Sequence, residues 1–498
     1  MENERMEVFL AFPKESRFRL DWGLLKSVLA ISFPFMVSSG MFSLKLTFDR
    51  LLLSWYSPVS LSASLSAGMT AYLVASVFVG IVGFSSVMVS QLHGEGKLNK
   101  IGSCIWQSLI IAFLSGLILI GLSFGLSFIF EFIGHTKVLA QEEKLYFRIL
   151  GSGALFSLTA TALICFWTGR KKIWTVVLIN FGILVLAEII SFVLIFGRSG
   201  LPVAANSPAY VKIVGFLLND LASLSGFDSL GIAGSAWGTV LGDIGKTLLL
   251  LGIFLSTKNR ACFQTIPREL WRPQAFWGLI RKGFGNGIHL LLSIASLTVF
   301  NLVVGFYSGV EDLAVTASSI VVSFSSAAMI PLIGLGAAVS LLVGYGRGSQ
   351  DQNYILNSVS TGSLVALIYM ILVFLVSVSS YAYITQLFVG KELKGGELIG
   401  ETLFLLLWGV FFLVWEGFGL ILGGALRGAG DTDYLMKISL SASIVLSIFL
   451  VLALQLGWGI ELLWIILGFS SGLKVLFLAS RYFSGAWKVQ KCAGTYYS

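Results

Sequence analysis

The chain has 498 residues, 56% of them hydrophobic and only 12% charged, about half the charge of an ordinary soluble protein. A bilayer-spanning helix needs about 20 mostly apolar residues, and one such run follows another here, leaving no room for a large soluble domain. The net charge of +8 gathers in alternate loops, a distribution that orients a protein in a bilayer and argues against nucleic acid as its partner.

Residues 1–26 form a polar-leaning tail without the short apolar core and cleavage site of a secretory signal, so the first helix is expected to stay in the mature protein. Apolar runs then predict helices near 27–55, 66–92, 103–133, 145–167, 174–197 and 230–256. After a polar link over 257–283 come 284–307, 312–345, 357–386, 399–426, 433–455 and 461–480, and 481–498 is a second tail. The expected fold is an all-α polytopic membrane protein, with twelve transmembrane helices as two six-helix bundles, 27–256 and 284–480, related by a pseudo-two-fold repeat.

The loops after the even-numbered helices carry Lys97, Lys100, Arg170, Lys171, Lys172, Lys258, Arg260, Arg268, Arg272, Arg281, Lys282, Arg347 and Arg427. The tails add Arg17, Arg19, Lys26, Arg481, Lys488 and Lys491, whereas the opposite loops are poorer, with Lys137, Arg198, Lys212, Lys391 and Lys394. Cytoplasmic loops are the basic ones, so both tails and the 257–283 link are expected in the cytoplasm and the protein in the inner (plasma) membrane. A monomer surrounded by lipid is expected. Cys104, Cys165, Cys262 and Cys492 show no metal or redox spacing and are expected as free thiols.

The halves resemble each other in order. WYSPVSLSA (55–63) matches FYSGVEDLA (306–314), and SQLHGEGKLN (90–99) matches GYGRGSQDQN (344–353). GIAGSAWGTVLGDIGK (231–246) matches GIELLWIILGFSSGLK (459–474), with Lys246 and Lys474 at equal depth. Such duplication is typical of transporters, whose substrate path lies between repeats. An insertion over 198–229 breaks the symmetry. Val211, Val214, Leu218 and Leu221 recur at helical spacing within it, predicting a short amphipathic surface helix over 210–224, either a passive surface element or a substrate lid.

Four motifs in order then resemble one family. Asp49 begins DRLLLSWYSPVSLSA, which is similar to the first-helix motif of the multidrug and toxic compound extrusion (MATE) family. LRGAGDT (426–432) is similar to its signature between the tenth and eleventh helices, and IAGSAWGTV in the sixth helix and RYFSGAWK (481–488) after the twelfth resemble others. The resemblance covers about residues 25–488. It implies two bundles facing each other in a V, which export amphipathic, often cationic compounds in exchange for sodium or protons while rocking between inward- and outward-open states.

Charges left inside apolar helices are costly and mark function. Asp49 is the first candidate, and the resemblance makes its counterpart part of a cation or proton site. Lys45 lies one turn earlier on the same face, so a static ion pair is the other reading. Glu416, eleven residues before Arg427, matches the tenth-helix acid of one branch, with no Lys or Arg within a turn of its own helix. On the fifth helix, aligning on Phe196-Gly197 puts Ser191 where another branch has Asp, and Glu188 one turn back is the substitute. The seventh helix offers Ser293 and His289 where one branch has Glu; imidazole suits proton exchange, though a hydrogen-bonded core His is the plainer reading. Asp243 and Lys246 are expected to neutralise each other.

The expected function is thus a secondary antiporter for small amphipathic, cationic compounds, with coupling-ion or substrate residues Asp49, Glu416, Glu188, Lys45 and His289. No cofactor or metal is expected beyond the coupling ion, Na+ or H+. The alternative is a flippase for lipid-linked sugars of the same wider superfamily, kept open by Lys45 and Lys246. No HExxH or Walker loop occurs, so neither a membrane enzyme nor an ATP-driven pump is expected.

Overall fold

Inside a bilayer every backbone polar group must find its partner within the protein, so long apolar runs become helices. A computed structural model of the chain describes residues 22–132, 134–202, 208–224, 226–267, 269–307, 312–389 and 396–497. The tail to residue 21, Arg268, and the loop holding Lys391 and Lys394 lie outside the described residues.

The first half contains α1 (Trp22–Tyr56), α2 (Pro58–Gly83), α3 (Ser85–Gly94), α4 (Ile101–Leu126), α5 (Ile129–Phe132), α6 (Lys137–Thr168), α7 (Ile173–Phe196), α8 (Ala209–Ser223) and α9 (Ile232–Phe254). After α10 (Thr257–Phe263) the second half follows as α11 (Pro273–Gly305), α12 (Asp312–Gly348), α13 (Gln352–Val389), α14 (Gly396–Ala429), α15 (Thr432–Gln455) and α16 (Ile460–Phe483). Among the described residues twelve helical segments are long and apolar enough to cross a bilayer, with α2 and α3 forming one of them.

Several spans start earlier than hydropathy suggests, the seventh by the most; the second begins at Pro58. The seventh begins at Pro273, a residue suited to the first helical position, so Arg281 and Lys282 ride on the helix. The fourth begins at Lys137, which carries Glu142, Glu143 and Lys144 in its first turns. Polar residues at the ends of a span hide its start from a hydropathy reading.

The halves repeat the same packing. In the first, α2 packs on α6, α6 on α4 and α9, α7 on α9 and α1; in the second, α12 packs on α14, α14 on α13 and α16, α15 on α16 and α11. Between halves, α1 meets α12 and α2 meets α11, the pairing that a two-fold axis through the interface generates.

The ties between the halves gather at the end that carries the basic loops. Gly80 has no room for a side chain against the backbone of Gly287, and Gly94 and Gly348 are pressed against Tyr345 and Gln91 across the interface. Asn286 Nδ2 donates to Gly80 O at 2.7 Å, Ser90 Oγ to Leu341 O at 2.6 Å, and Gln91 Nε2 to Gly428 O at 2.9 Å. A Gly287→Val substitution is expected to destabilise this end by more than the usual overpacking cost of about 1–3 kcal/mol, because backbone rather than a flexible side chain blocks it. A lowered thermal midpoint of the purified protein measures the effect.

Lys171 adds a tie outside the spans. Its Nζ donates to Tyr354 Oη at 3.2 Å and stands 3.7 Å from the Tyr345 ring centre, both on the second half. Burial pushes the Lys171 ammonium down to about 8 from its ordinary 10.5. Between those values an exposed Lys171 holds a proton that the buried one has lost, so separating the halves takes up a proton there. Raising the pH from about 8 to about 10 is therefore expected to favour the tied state, with no effect below that window. Spin-label distances across the basic end measure it, and Lys171→Met should flatten the dependence.

The carboxy-terminal segment crosses the same end. Trp487 is buried in the core of the second half, where Nε1 donates to Tyr482 O at 2.9 Å. Ala493 and Tyr497 are buried in the core of the first half. Ala493 N donates to Gln91 Oε1 at 2.8 Å and Gly494 N to Glu95 Oε1 at 3.1 Å. Two of the matched motifs meet here: Asp431 accepts from Arg481 Nε at 2.8 Å and from Gln490 Nε2 at 3.0 Å.

The insertion forms α8, as its periodicity predicts, held where Asn219 Oδ1 accepts from Leu201 N at 2.8 Å. The buried side is Val211, Val214, Leu218 and Ala222, not Leu221, which is exposed. A four-residue step keeps Ala222 on the face that Leu218 starts, and Leu221 falls beside Phe216 and Leu217 on the exposed apolar face.

Candidate functional site

A cavity of about 670 Å³ runs from mid-depth toward the end opposite the ties. It is walled by the first half and closed on one side by Ile294 and Thr298 of α11. Lys45, Asp49, Arg50, Tyr146, Asp243 and Lys246 line it, with Phe42 and Tyr72, whose ring centres are 6.0 Å apart.

Lys45 and Asp49 project from α1 one turn apart, and Lys45 Nζ reaches Asp49 Oδ2 at 2.6 Å. The same ammonium donates to Thr239 Oγ1 on α9 at 2.8 Å. The pair forms, as the spacing allows, and the Asp49 side chain keeps 7% exposure. Asp49 Oδ1 is buried without a hydrogen-bond partner.

Glu188 on α7 stands within electrostatic reach of both Lys45 and Asp49. Neither of its carboxylate oxygens has a hydrogen-bond partner, and both are buried. Glu188 therefore adds an acid without a hydrogen-bond partner to a group that holds the Lys45–Asp49 pair and, on the cavity wall, Arg50. Ser191 is buried against Gly238, whose missing side chain would collide with the Ser191 hydroxyl. A carboxylate does not fit between those helices, which is a physical reason for the acid to stand one turn back.

Asp243 and Lys246 pair at 2.7 Å within α9, as expected. In the second half Glu416 does have a partner, contrary to the expectation from its own helix. Lys474 of α16 binds both its oxygens, at 2.7 and 3.0 Å. The neighbour is 58 residues away in sequence, beyond the reach of a one-turn search. Lys246 and Lys474 occupy matching places in the repeat, so each half holds a Lys–acid pair at that depth. Glu416 is separated from Asp49, Lys45 and Glu188 by the interface and does not line the cavity.

His289 lies on α11, with Nδ1 2.6 Å from Ser439 Oγ of α15. Ser293 Oγ donates to the His289 carbonyl at 2.9 Å. The ring is a hydrogen-bonded group between two helices of the second half, outside the cavity lining.

Known proteins share this architecture and its pattern. A family model described as MatE matches residues 34–193 and again 287–452, one match in each half. The chain belongs to the MatE family. A probable multidrug resistance protein NorM of Bradyrhizobium diazoefficiens is 25% identical over 425 residues, covering 82% of each chain. Multidrug resistance protein NorM of Vibrio cholerae is 23% identical over 373 residues, covering 74% of each. In fold, the eukaryotic MATE transporter AtDTX14 superposes with a TM-score of 0.77 at 18% identity, over 95% of this chain and 98% of that one.

For this MatE chain, sequence reading singled out Asp49, Lys45 and Glu188, which come together, and Glu416 and His289, which stay apart from them. It missed Arg50, which lines the cavity, and Thr239, the second partner of Lys45. Arg50 follows Asp49 directly, so only the cavity shows its exposure to a substrate. Thr239 sits in the matched IAGSAWGTV segment, whose glycines draw attention first.

Proposed function

We propose that this MatE-family chain is a secondary antiporter that exports small amphipathic, cationic compounds in exchange for H+ or Na+ by alternating access. The observation that carries the reading is the unpartnered Glu188 carboxylate beside the Lys45–Asp49 pair at the cavity wall. A buried carboxylate without a hydrogen-bond partner gains from a bound proton or cation. Binding a proton or sodium ion and binding a cationic substrate then compete for that carboxylate.

The aromatic pair Phe42 and Tyr72 offers flat apolar surface for an organic cation, whose charge is attracted to ring faces. Asp243 and Asp49 stand on the same wall, each paired with a lysine, and Arg50 would hold an anionic substituent. The curated relatives named as multidrug resistance proteins support drug efflux and do not favour the flippase alternative. The reading places the chain in the inner membrane as a monomer, with both termini and the 257–283 link in the cytoplasm. The cavity then faces outward.

Expression in a drug-sensitive bacterium tests the reading. Cells carrying the protein should accumulate less ethidium than control cells, and dissipating both ion gradients should abolish the difference. Equal accumulation in both, or efflux that survives loss of both gradients, would overturn it.

A further inference from the structure

One buried acid in the first half takes no part in the group above. Glu143 on α6 is 0% exposed, and among the described residues no Lys or Arg is bonded to it. Ser66 Oγ on α2 donates a short hydrogen bond to Glu143 Oε1. His135 Nδ1 lies 2.8 Å from Glu143 Oε2. His135 belongs to the loop before α6, at the end away from the ties, and its side chain is 32% exposed. The imidazole therefore links a fully buried carboxylate to the solution at the open end.

A buried carboxylate without a fixed cation is costly unless it carries or shares a proton. Imidazole is the side chain that exchanges protons in the physiological range. We propose that His135, Glu143 and Ser66 form a proton-binding site at the open end of the first half, where the coupling proton is taken up from the outer solution. The proposal rests on the antiport reading and selects the proton as the coupling ion.

The step balances simply. Outer water delivers a proton to His135 Nε2 while the Nδ1 proton passes to Glu143 Oε2. The imidazole ends neutral in its other tautomer, and Glu143 ends as a neutral acid; one proton has been added to the pair. Tyr146, three residues on and on the same face of α6, lines the cavity with Lys45 and Asp49, so the site stands about one helical turn from that wall.

The two basic side chains that follow on the same helix, Lys144 and Arg148, are engaged elsewhere. Lys144 pairs with Glu131 at 2.6 Å, and Arg148 donates to Ser127 Oγ at 2.9 Å while lying over the Phe124 and Phe128 rings. Lys137 opens α6, and Glu142 beside the site has a buried oxygen without a partner. Sodium selects oxygen ligands, whereas a ring nitrogen occupies one side of Glu143. That arrangement fits a proton.

Infrared difference spectroscopy of the purified full-length protein between acid and neutral pH tests the site without any transport substrate. Wild type should show a protonated-carboxyl stretch that Glu143→Gln removes and that His135→Asn moves by about one pH unit or more. His135 is partly exposed, so its Asn variant remains informative if Glu143→Gln fails to fold. A difference band unchanged in both variants would overturn the proposal.

Vesicle transport separates this failure from that of the antiport reading. If ethidium export in wild type drives proton movement and His135→Asn keeps the wild-type dependence on outer pH, the uptake site is wrong and the antiport reading stands. If export moves no ions at all, both fall.

Discussion

Lys474→Met is expected to be among the most damaging single changes in the second half. It would leave Glu416 with neither of its two hydrogen bonds to Nζ, at 2.7 and 3.0 Å, in a site where the two side chains are only 14% and 13% exposed. Breaking a buried pair by removing one partner costs about 3–5 kcal/mol, because an uncompensated charge remains. Removing both charges costs far less, since the desolvation of the pair disappears with it. Lys474→Met with Glu416→Gln should therefore regain most of the thermal stability that Lys474→Met alone loses. Transport then separates the roles: a structural pair predicts efflux restored with stability, and a coupling role predicts stability without efflux. Equal melting of the single and double variants would show that the pair is not what holds α14 to α16 there.

The second large effect is expected at the carboxy-terminal crossing. Tyr497 is buried in the core of the first half while Trp487 is buried in that of the second, so the nine residues between them span both. Tyr497→Ala should cost about 3–5 kcal/mol, as large buried aromatics do. The loss falls on the state in which the halves are tied at the basic end. Spin labels on α3 and α12 should then report a longer distance at that end, and a population open to the basic side. Ala493 and Gly494 would lose the alignment with Gln91 and Glu95, which weakens the tie further. An unchanged distance distribution would mean that α1, α2, α11 and α12 alone hold that end closed.

Much of the frame is legible in the chain because a bilayer accepts few backbone solutions. Twelve apolar runs become twelve spans, and the two polar motif pairs flanking them foretell the repeat. Glu188 was legible too, since a carboxylate in an apolar helix has few innocent readings. What escapes is set by contacts between distant residues. Lys474 meets Glu416 across 58 positions, and no helical spacing shows that. His135 and Glu143 look like ordinary loop and helix-end polarity until burial shows the carboxylate fully enclosed. The reason Asp431 belongs to a matched motif becomes plain only when Arg481 and Gln490 close on it.

The central claim is that the Lys45–Asp49–Glu188 group couples ion movement to export. Reconstitution tests it most directly, with ethidium transport driven by an imposed proton or sodium gradient in the wild type, Glu188→Gln and the Asp49→Asn/Glu188→Gln variant. Wild type should accelerate with one of the gradients; Glu188→Gln should lose about tenfold or more of that acceleration, and the double variant should ignore both gradients while still melting cooperatively. Gradient-driven transport at the wild-type rate in the double variant would contradict the claim.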